Sequence, residues 1–318
     1  MQYYINYVLG IEQGVGLKTE QGTIVHKVLE CLALLKKQHQ EDKPLEIDTE
    51  YGKIQTCETK LHTKEFVDHI VERTYEYYVQ RSKNAFTKKS FTDCQKWVHM
   101  ELEFNNGLFD PRKRNIVCAE NKFDFVIDKP WAKYKFKHDD KDYEGQLSFK
   151  GTIDLITKVD DKTYEIIDYK TGQRKNWATG EEKTYEKLCK DTQLMLYYYA
   201  ASRLFPEVEN IIITIFFIRD GGPFTIFFDK QHIIEAERVL KKHFERVTKN
   251  KFPRMLSTTQ SDFRCTKLCS YFKNNQPGTD QNICRFIHNQ IKLKGIDHTT
   301  ANFKNVNHDI SGYKNPGE

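Results

Sequence analysis

The stretch that decides the fold reads GTIDLITKV (151–159), DDK (160–162) and TYEIIDYKTG (163–172). Two apolar runs rich in β-branched residues flank a three-residue polar break, which is typical of a β-hairpin. With 160–162 as the loop, Val159 faces Thr163 across the hairpin. The sequence therefore predicts two paired strands, and it also predicts their register.

This register places Asp154 directly opposite Asp168, and cross-strand partners share a face with Cβ atoms about 4.5–5.5 Å apart. Lys170, two residues past Asp168, lies on the same face. Two facing carboxylates repel each other, so the pair predicts a divalent cation, and hard oxygen ligands suit Mg²⁺ or Mn²⁺. A two-residue loop would move Asp168 to the opposite face and remove the site. In the alternative interpretation, both aspartates are solvated strand residues that Lys170 neutralises.

The hydrophobic spacing outside the hairpin predicts a layered protein. Helical spacing covers residues 22–37, 64–82, 91–104, 183–205 and 231–249. Strand patterns cover residues 115–128, 146–159, 163–170, 211–218 and 224–228, with a charged loop at 137–144. This order of helices, strands, a helix, strands and a helix predicts an α/β arrangement around one mixed sheet.

Composition restricts the function only weakly. The 318 residues are 38% hydrophobic and carry a net charge of +5, which permits nucleic acid as a partner without requiring it. No run approaches the ~20 apolar residues of a membrane span, and the first residues lack the pattern of a signal peptide. We therefore expect a cytoplasmic protein with no membrane partner, whose eight cysteines are mostly reduced thiols.

Four motifs together resemble one family of enzymes. IIDYKTG (166–172), preceded by GTID (151–154), is similar to the signature of the PD-(D/E)XK nuclease superfamily. GTIVHKVLE (22–30) and QLMLY (193–197) resemble the upstream helix and the downstream Gln-x-x-x-Tyr helix of its RecB-like branch. That branch includes recombinational nuclease domains and the CRISPR-associated RecB-like exonucleases.

The resemblance implies a restriction-endonuclease-like core of class α/β, with a central mixed sheet flanked by helices. We expect a nuclease domain over residues 1–250 with a helical insertion at about 45–110. A cysteine-bearing segment over 251–295 and a flexible tail over 296–318 would follow.

The resemblance also implies roles for single residues. His26 would bind the metal together with Asp154 and Asp168, and Lys170 would complete the catalytic set. Supporting or DNA-contacting roles fall to Gln193, Tyr197 and Glu120.

Each supporting residue has an ordinary structural alternative. His26 could be a surface or core histidine, and Gln193 with Tyr197 could form a polar helix edge. Glu120 could be an exposed strand residue. Glu30, one turn after His26, could orient its imidazole or remain solvated.

Several cationic side chains could follow a DNA backbone, although solvated faces explain them equally well. Arg174 and Lys175 lie beside Trp177 in the sequence. The other candidates are the run Arg112–Arg114 and the pair Lys241 and Lys242.

Three cysteines cluster late in the chain, at Cys265, Cys269 and Cys284. Several RecB-like nucleases hold a [4Fe-4S] cluster with three late cysteines and one that precedes the first helix. Here no cysteine precedes Tyr3, and Cys31 could take the place of that ligand. A zinc site completed by His288, or three ordinary thiols, are the alternatives.

Taken together, we expect an Mg²⁺- or Mn²⁺-dependent DNA nuclease, an exonuclease acting on single strands or duplex ends in replication, recombination or repair. The sequence contains no Gly-x4-Gly-Lys-Ser/Thr phosphate loop, so unwinding would require a helicase or recombination partner. The first alternative is a catalytically silent, nuclease-like DNA-binding subunit. A hydrolase of small phosphoesters is the second.

Overall fold

The structure is a computed structural model that describes residues 1–12, 14–138, 141–175, 180–220, 222–249, 253 and 264–306. Apart from short 3₁₀ and π turns, the helices are α1 (Leu17–Gln40), α2 (Glu58–Leu61), α3 (Lys64–Arg81), α4 (Lys88–Glu103), α5 (Tyr185–Leu188), α6 (Thr192–Leu204), α7 (Lys230–Lys249), α8 (Ser270–Lys273), α9 (Ile283–Lys294) and α10 (Ile296–Phe303). The strands are β1 (Glu46–Thr49), β2 (Gly52–Gln55), β3 (Ile116–Val126), β4 (Lys133–His138), β5 (Lys141–Gln146), β6 (Ser148–Lys158), β7 (Thr163–Lys170), β8 (Asn210–Phe217) and β9 (Gly222–Phe227).

A five-stranded mixed sheet with the order β3-β6-β7-β8-β9 is the centre of the fold. Only the β7–β8 pair is parallel, and α6 makes the crossover between these two strands. Helix α1 packs against β3 and β6. The expected α/β architecture, with a mixed sheet flanked by helices as in restriction endonucleases, is therefore confirmed.

The predicted hairpin register is also confirmed. Leu155 pairs with Ile167 and Lys158 with Tyr164, so 160–162 form the connection. The Val159 N–H donates to the carbonyl of Thr163 at 2.9 Å. The ladder ends at Leu155 and Ile167, one position before the two aspartates, so both lie where the strands begin to separate.

The chain divides into two compact units. The larger comprises residues 16–126 and 148–239 and contains the five-stranded sheet. In this unit, the apolar face of α1 packs into a core shared with α3, α4 and the sheet. The buried residues of that face include Ile24, Val25, Val28, Leu29 and Leu32.

The smaller unit comprises the described residues of 1–15, 127–147 and 240–306. Tyr4, Ile5 and Leu9 pack there with Tyr271, Ile287 and Ile291 of the late helices. The Tyr271 hydroxyl donates to the carbonyl of Ile11 at 2.5 Å, which fastens the first residues to α8. The first and last described segments of the chain thus share one core.

Three expectations about irregular segments differ from the structure. Residues 137–144 were expected to be a charged loop, but 133–138 and 141–146 form a two-stranded hairpin in which Phe136 stacks on Tyr143 at 5.4 Å. The expected helical insertion contains the β1–β2 hairpin as well as helices. The C-terminal region forms α8 to α10, and α10 covers 296–303 of the predicted flexible tail. Residues 307–318 lie outside the described part of the chain, and the domain limits at 250 and 295 stay predictions.

Candidate active site

The sequence-predicted residues come together where the paired strands β6 and β7 separate. Asp154 lies where β6 leaves the ladder, and its Oδ2 accepts a hydrogen bond from the backbone N–H of Tyr169 at 3.0 Å. His26 on α1 approaches the same oxygen, with its Nδ1 3.4 Å away. The helix and the two strands therefore meet at one carboxylate.

Asp168 forms the second half of the site and is almost fully buried. The Lys170 ammonium lies 2.9 Å from its Oδ1 and 2.7 Å from its Oδ2. The lysine side chain is still 30% exposed, so this cation bridges a buried carboxylate and solvent.

Helix α6 contributes from the other side of Lys170. Asp191 caps the helix by accepting from the Gln193 N–H at 2.9 Å, which fixes the start of the helix. The Gln193 Oε1 then accepts from Lys170 at 3.4 Å, and its Nε2 donates to the Tyr197 hydroxyl at 2.8 Å. Asp168, Lys170, Gln193 and Tyr197 consequently form one continuous chain of polar contacts.

The two aspartates have opposite electrostatic environments. Burial, aided by the charge of Asp154 and opposed by Lys170, raises the pKa of Asp168. Burial also favours neutral Asp154, but its hydrogen bond with His26 and the charges of His26 and Lys170 outweigh it and lower the pKa of Asp154. Closely spaced carboxylates with such different pKa values are typical of catalytic sites, although structural networks can also produce them.

The imidazole of His26 is held by acidic neighbours. Burial would lower its pKa, but the hydrogen bond to Asp154 and the charges of Asp154 and Asp168 raise it. The ring also packs edge-on against Tyr169, with 6.4 Å between ring centroids. Tyr169 positions both His26 and Asp154, a role that the sequence analysis did not assign.

Within the described residues, one group of histidine, cysteine and acidic side chains has the geometry of a metal site: His26, Glu120 and Asp154. One ligand atom from each lies within 4.8 Å of the others. An imidazole and two carboxylates fit a divalent ion such as Mn²⁺. Asp168 does not belong to this group, and its two carboxylate oxygens both lie within 3 Å of the Lys170 ammonium.

A cleft of about 360 Å³ opens in front of these residues. His26, Glu120 and Lys170 line it together with small side chains, among them Gly22 and Thr171. A larger cleft of about 540 Å³ is lined by His62, His99 and Arg112 and includes none of the candidate site residues.

Other candidates have structural roles instead. Arg112, expected on a solvated or phosphate-tracking face, is buried and pairs with Asp110 at 2.8 Å. Glu30 binds Lys27 at 2.6 Å rather than orienting His26. Cys31 lies in the core of the larger unit, where burial raises the pKa of its thiol to about 12.

The cationic loop after β7 is only partly described. Arg174 lies over the ring of Phe224 at 4.9 Å and pairs with Glu182 at 3.1 Å, so its guanidinium is already engaged. Lys175 forms a β-bridge with Glu182. Trp177 falls outside the described residues. Lys241 and Lys242 are exposed on α7, as a solvated face would be.

The fold and the site define a nuclease of the restriction-endonuclease-like class. A family comparison agrees: the description of the PD-(D/E)XK nuclease superfamily matches residues 1–273. The chain belongs to this superfamily.

Comparison with solved structures finds proteins of low similarity. A "Putative exonuclease" from Eubacterium rectale aligns with a TM-score of 0.36 and 12% identity over 67% of this chain and 81% of its own. The protein SSO0001 aligns with a TM-score of 0.24 and 12% identity over 78% and 82% of the two chains. No curated protein matches significantly, and none of the described helices could span a bilayer.

Proposed function

We propose that the chain is a divalent-metal-dependent deoxyribonuclease of the RecB-like branch, an exonuclease that acts on single-stranded DNA or duplex ends in replication, recombination or repair. One observation carries the proposal. In a member of the PD-(D/E)XK superfamily, His26, Asp154, Asp168 and Lys170 converge at the point where β6 and β7 separate.

His26 and Asp154 would hold the metal ion, with Asp168 completing its acidic surroundings. When bound there, Mg²⁺ or Mn²⁺ polarises the phosphodiester and makes a bound water easier to deprotonate. Because one ligand is an imidazole, we expect Mn²⁺ to bind more tightly than Mg²⁺, which prefers oxygen ligands and water.

Lys170 would act on the reacting phosphate. Its ammonium is held between Asp168 and Gln193, so it is oriented before substrate arrives. A preorganised cation can hold the attacking water and offset the charge that builds on phosphorus. Gln193 and Tyr197 would position Lys170 and contact the DNA that enters the cleft.

The first prediction concerns Lys170→Ala. Removing the ammonium should lower the cleavage rate at least about 10²-fold, the loss seen for one preorganised donor, while DNA binding remains largely intact. End-labelled DNA with Mn²⁺, Mg²⁺ or EDTA measures cleavage, and a filter or gel-shift assay measures binding.

Lys158→Ala is the matched control, because Lys158 lies at the loop end of the β6–β7 hairpin, away from Asp168 and Lys170, and pairs with Asp161. It should cleave like the wild type. A fully active Lys170→Ala protein would contradict the assignment. Wild-type protein that binds DNA without cutting it would indicate a silent DNA-binding subunit, and activity on model esters alone would indicate a small-phosphoester hydrolase.

A second metal centre at the late cysteines, an iron–sulphur cluster or zinc completed by His288, stays a prediction from the sequence, because among the described residues their sulphur atoms do not form a group with metal-site geometry. Burial raises the pKa of the Cys284 thiol to about 11, and the nearby Cys269 and Cys265 add to this increase, so the three thiols are neighbours. Metal analysis and an ultraviolet–visible spectrum of anaerobically purified protein distinguish a cluster, zinc and ordinary thiols. DNA unwinding would come from a separate helicase or recombination protein.

A further inference from the structure

Glu120 occupies an irregular position in β3. The pairs Ala119–Leu155 and Asn121–Ile153 lie on either side of it, so the register places Glu120 across from Asp154. The backbone φ of Glu120 is +46°, however, and this interrupts the regular ladder at that point. The irregularity falls beside the acidic residue that binds His26.

The left-handed conformation is unfavourable for glutamate. L-residues avoid positive φ because Cβ crowds the backbone, and glycine, asparagine and aspartate are the usual exceptions. Such strain persists only where the surrounding structure maintains it, and residues with strained backbones cluster at active sites and ligand-binding sites. A glycine at this position would be free of the strain but would have no carboxylate.

The redirected carboxylate reaches the ligand atoms of two other elements. One of its oxygens lies within 4.8 Å of a His26 nitrogen and of an Asp154 oxygen. In the described part of the chain, no side chain forms a hydrogen bond or an ion pair with Glu120. Lys27, a nearby cation, is bonded to Glu30 instead.

We propose that Glu120 is a direct ligand of the catalytic metal ion, together with His26 and Asp154, and that the strained backbone of β3 aims it there. The inference rests on the proposed metal-dependent nuclease function. The three ligands come from α1, β3 and β6, whereas Asp168 remains paired with Lys170. Glu120 would thus coordinate the metal ion directly, beyond the supporting role that the sequence predicted for it.

The test measures Mn²⁺ affinity of the full chain directly, by calorimetry or by the electron paramagnetic resonance signal of free Mn²⁺. Glu120→Gln removes the charged ligand and keeps the side-chain shape. The affinity of this variant for Mn²⁺ should fall more than about tenfold, because the loss of a group that only orients a metal ligand already lowers metal affinity about ten- to a hundredfold.

Glu30→Gln is the matched control. Glu30 is another carboxylate near Glu120, but it is bonded to Lys27 and does not belong to the ligand group. This variant should keep the wild-type affinity. An equal loss in both variants would show a general effect of negative charge and overturn the proposal.

Glu120→Gly tests the strain. Without metal, this variant should have a higher melting temperature than the wild type. Added Mn²⁺ should raise its melting temperature by less than it raises that of the wild type. Unchanged Mn²⁺ affinity in Glu120→Gln or Glu120→Gly would overturn the assignment. A wild-type protein that binds Mn²⁺ through Glu120 but does not cut DNA would refute only the nuclease function; one that binds no Mn²⁺ would refute both.

Discussion

Glu101 on α4 is a fully buried carboxyl group that lies close to Asp110 and the Tyr169 side chain. Burial, and then the negative charge of Asp110, raise the pKa of Glu101 well above its ordinary value of 4.5. The folded state therefore retains a proton that the unfolded state releases. Stability must fall as the pH rises from the unfolded pKa towards the raised folded pKa.

Glu101→Gln should remove this pH dependence, because the amide stays neutral at every pH. Relative to the wild type, the variant should gain stability as the pH rises from 4 to 8. A pKa difference of one between the two states corresponds to about 1.4 kcal/mol. Urea unfolding at several pH values measures the slope.

The control for this experiment is Glu103→Gln on the same helix, whose side chain is 74% exposed. Its free energy of unfolding should change with pH in the same way as that of the wild type. If the free energy of unfolding of Glu101→Gln changed with pH as that of the wild type does, the Glu101 carboxyl would be ionised in the folded state.

At the same scale, the sequence indicated some site residues better than others. The three-residue break at 160–162 predicted the correct register, because alternation and loop length determine which residues face each other. The end of the ladder before Asp154 and the positive φ of Glu120 were not predictable. Both depend on how β3, β6 and α1 pack together, and glutamate is a residue from which no left-handed backbone is expected.

At the scale of elements, α1 can approach the end of β7 because Gly22 has no side chain. A Cβ built on Gly22 would lie 2.8 Å from the Thr171 Oγ1, which follows Lys170 directly. Gly22 lies one turn before His26 on the same helix, so this contact influences how far His26 stands from Asp154. The spacing between helix and strand is part of the site.

A size series at Gly22 tests this spacing. Gly22→Ala should remain active and gain about 1 kcal/mol of stability from helix propensity, since the hydroxyl of Thr171 can rotate away. Gly22→Val should displace the helix and lower the cleavage rate at least about tenfold, because a displacement of about 1 Å can cost up to 10²-fold.

Thr171→Ala supplies the space that the larger side chain needs. Adding it to Gly22→Val should recover part of the activity, while Thr171→Ala alone should stay near the wild type. Full activity in Gly22→Val would show that the helix position does not control the site.

The main elements of the larger unit followed from periodicity, with α3 and β7 predicted almost to the residue. The β4–β5 hairpin was missed because its charges resemble a loop, although Tyr134, Phe136 and Tyr143 form aromatic contacts along it. Alternation of aromatic and charged residues was the available signal, and the charge density of 137–144 obscured it.

At the scale of the whole molecule, the core of the smaller unit joins segments that are far apart in the chain. The hydrogen bonds from Tyr271 to Ile11 and between Tyr4 and Thr300 join residues 260 and 296 positions apart. The periodicity predicted no helix after residue 249, because the helices of the C-terminal region are short. Their apolar stripes are completed only by Tyr4, Ile5 and Leu9 from the first turn of the chain. A local reading of the sequence could not show this pairing.

Helix α9 allows a test of the core shared by the first and last segments, because the helix carries both buried and exposed apolar residues. Ile287 is fully buried in the shared core, whereas Leu293 is 79% exposed. Ile287→Ala should reduce the unfolding free energy of this unit by about 2–5 kcal/mol, and Leu293→Ala should have little effect. Hydrogen exchange should report faster opening in Ile287→Ala both at 283–303 and at 4–9. If only the C-terminal amides exchanged faster, the first and last segments would be stabilised separately, and the common core would be refuted.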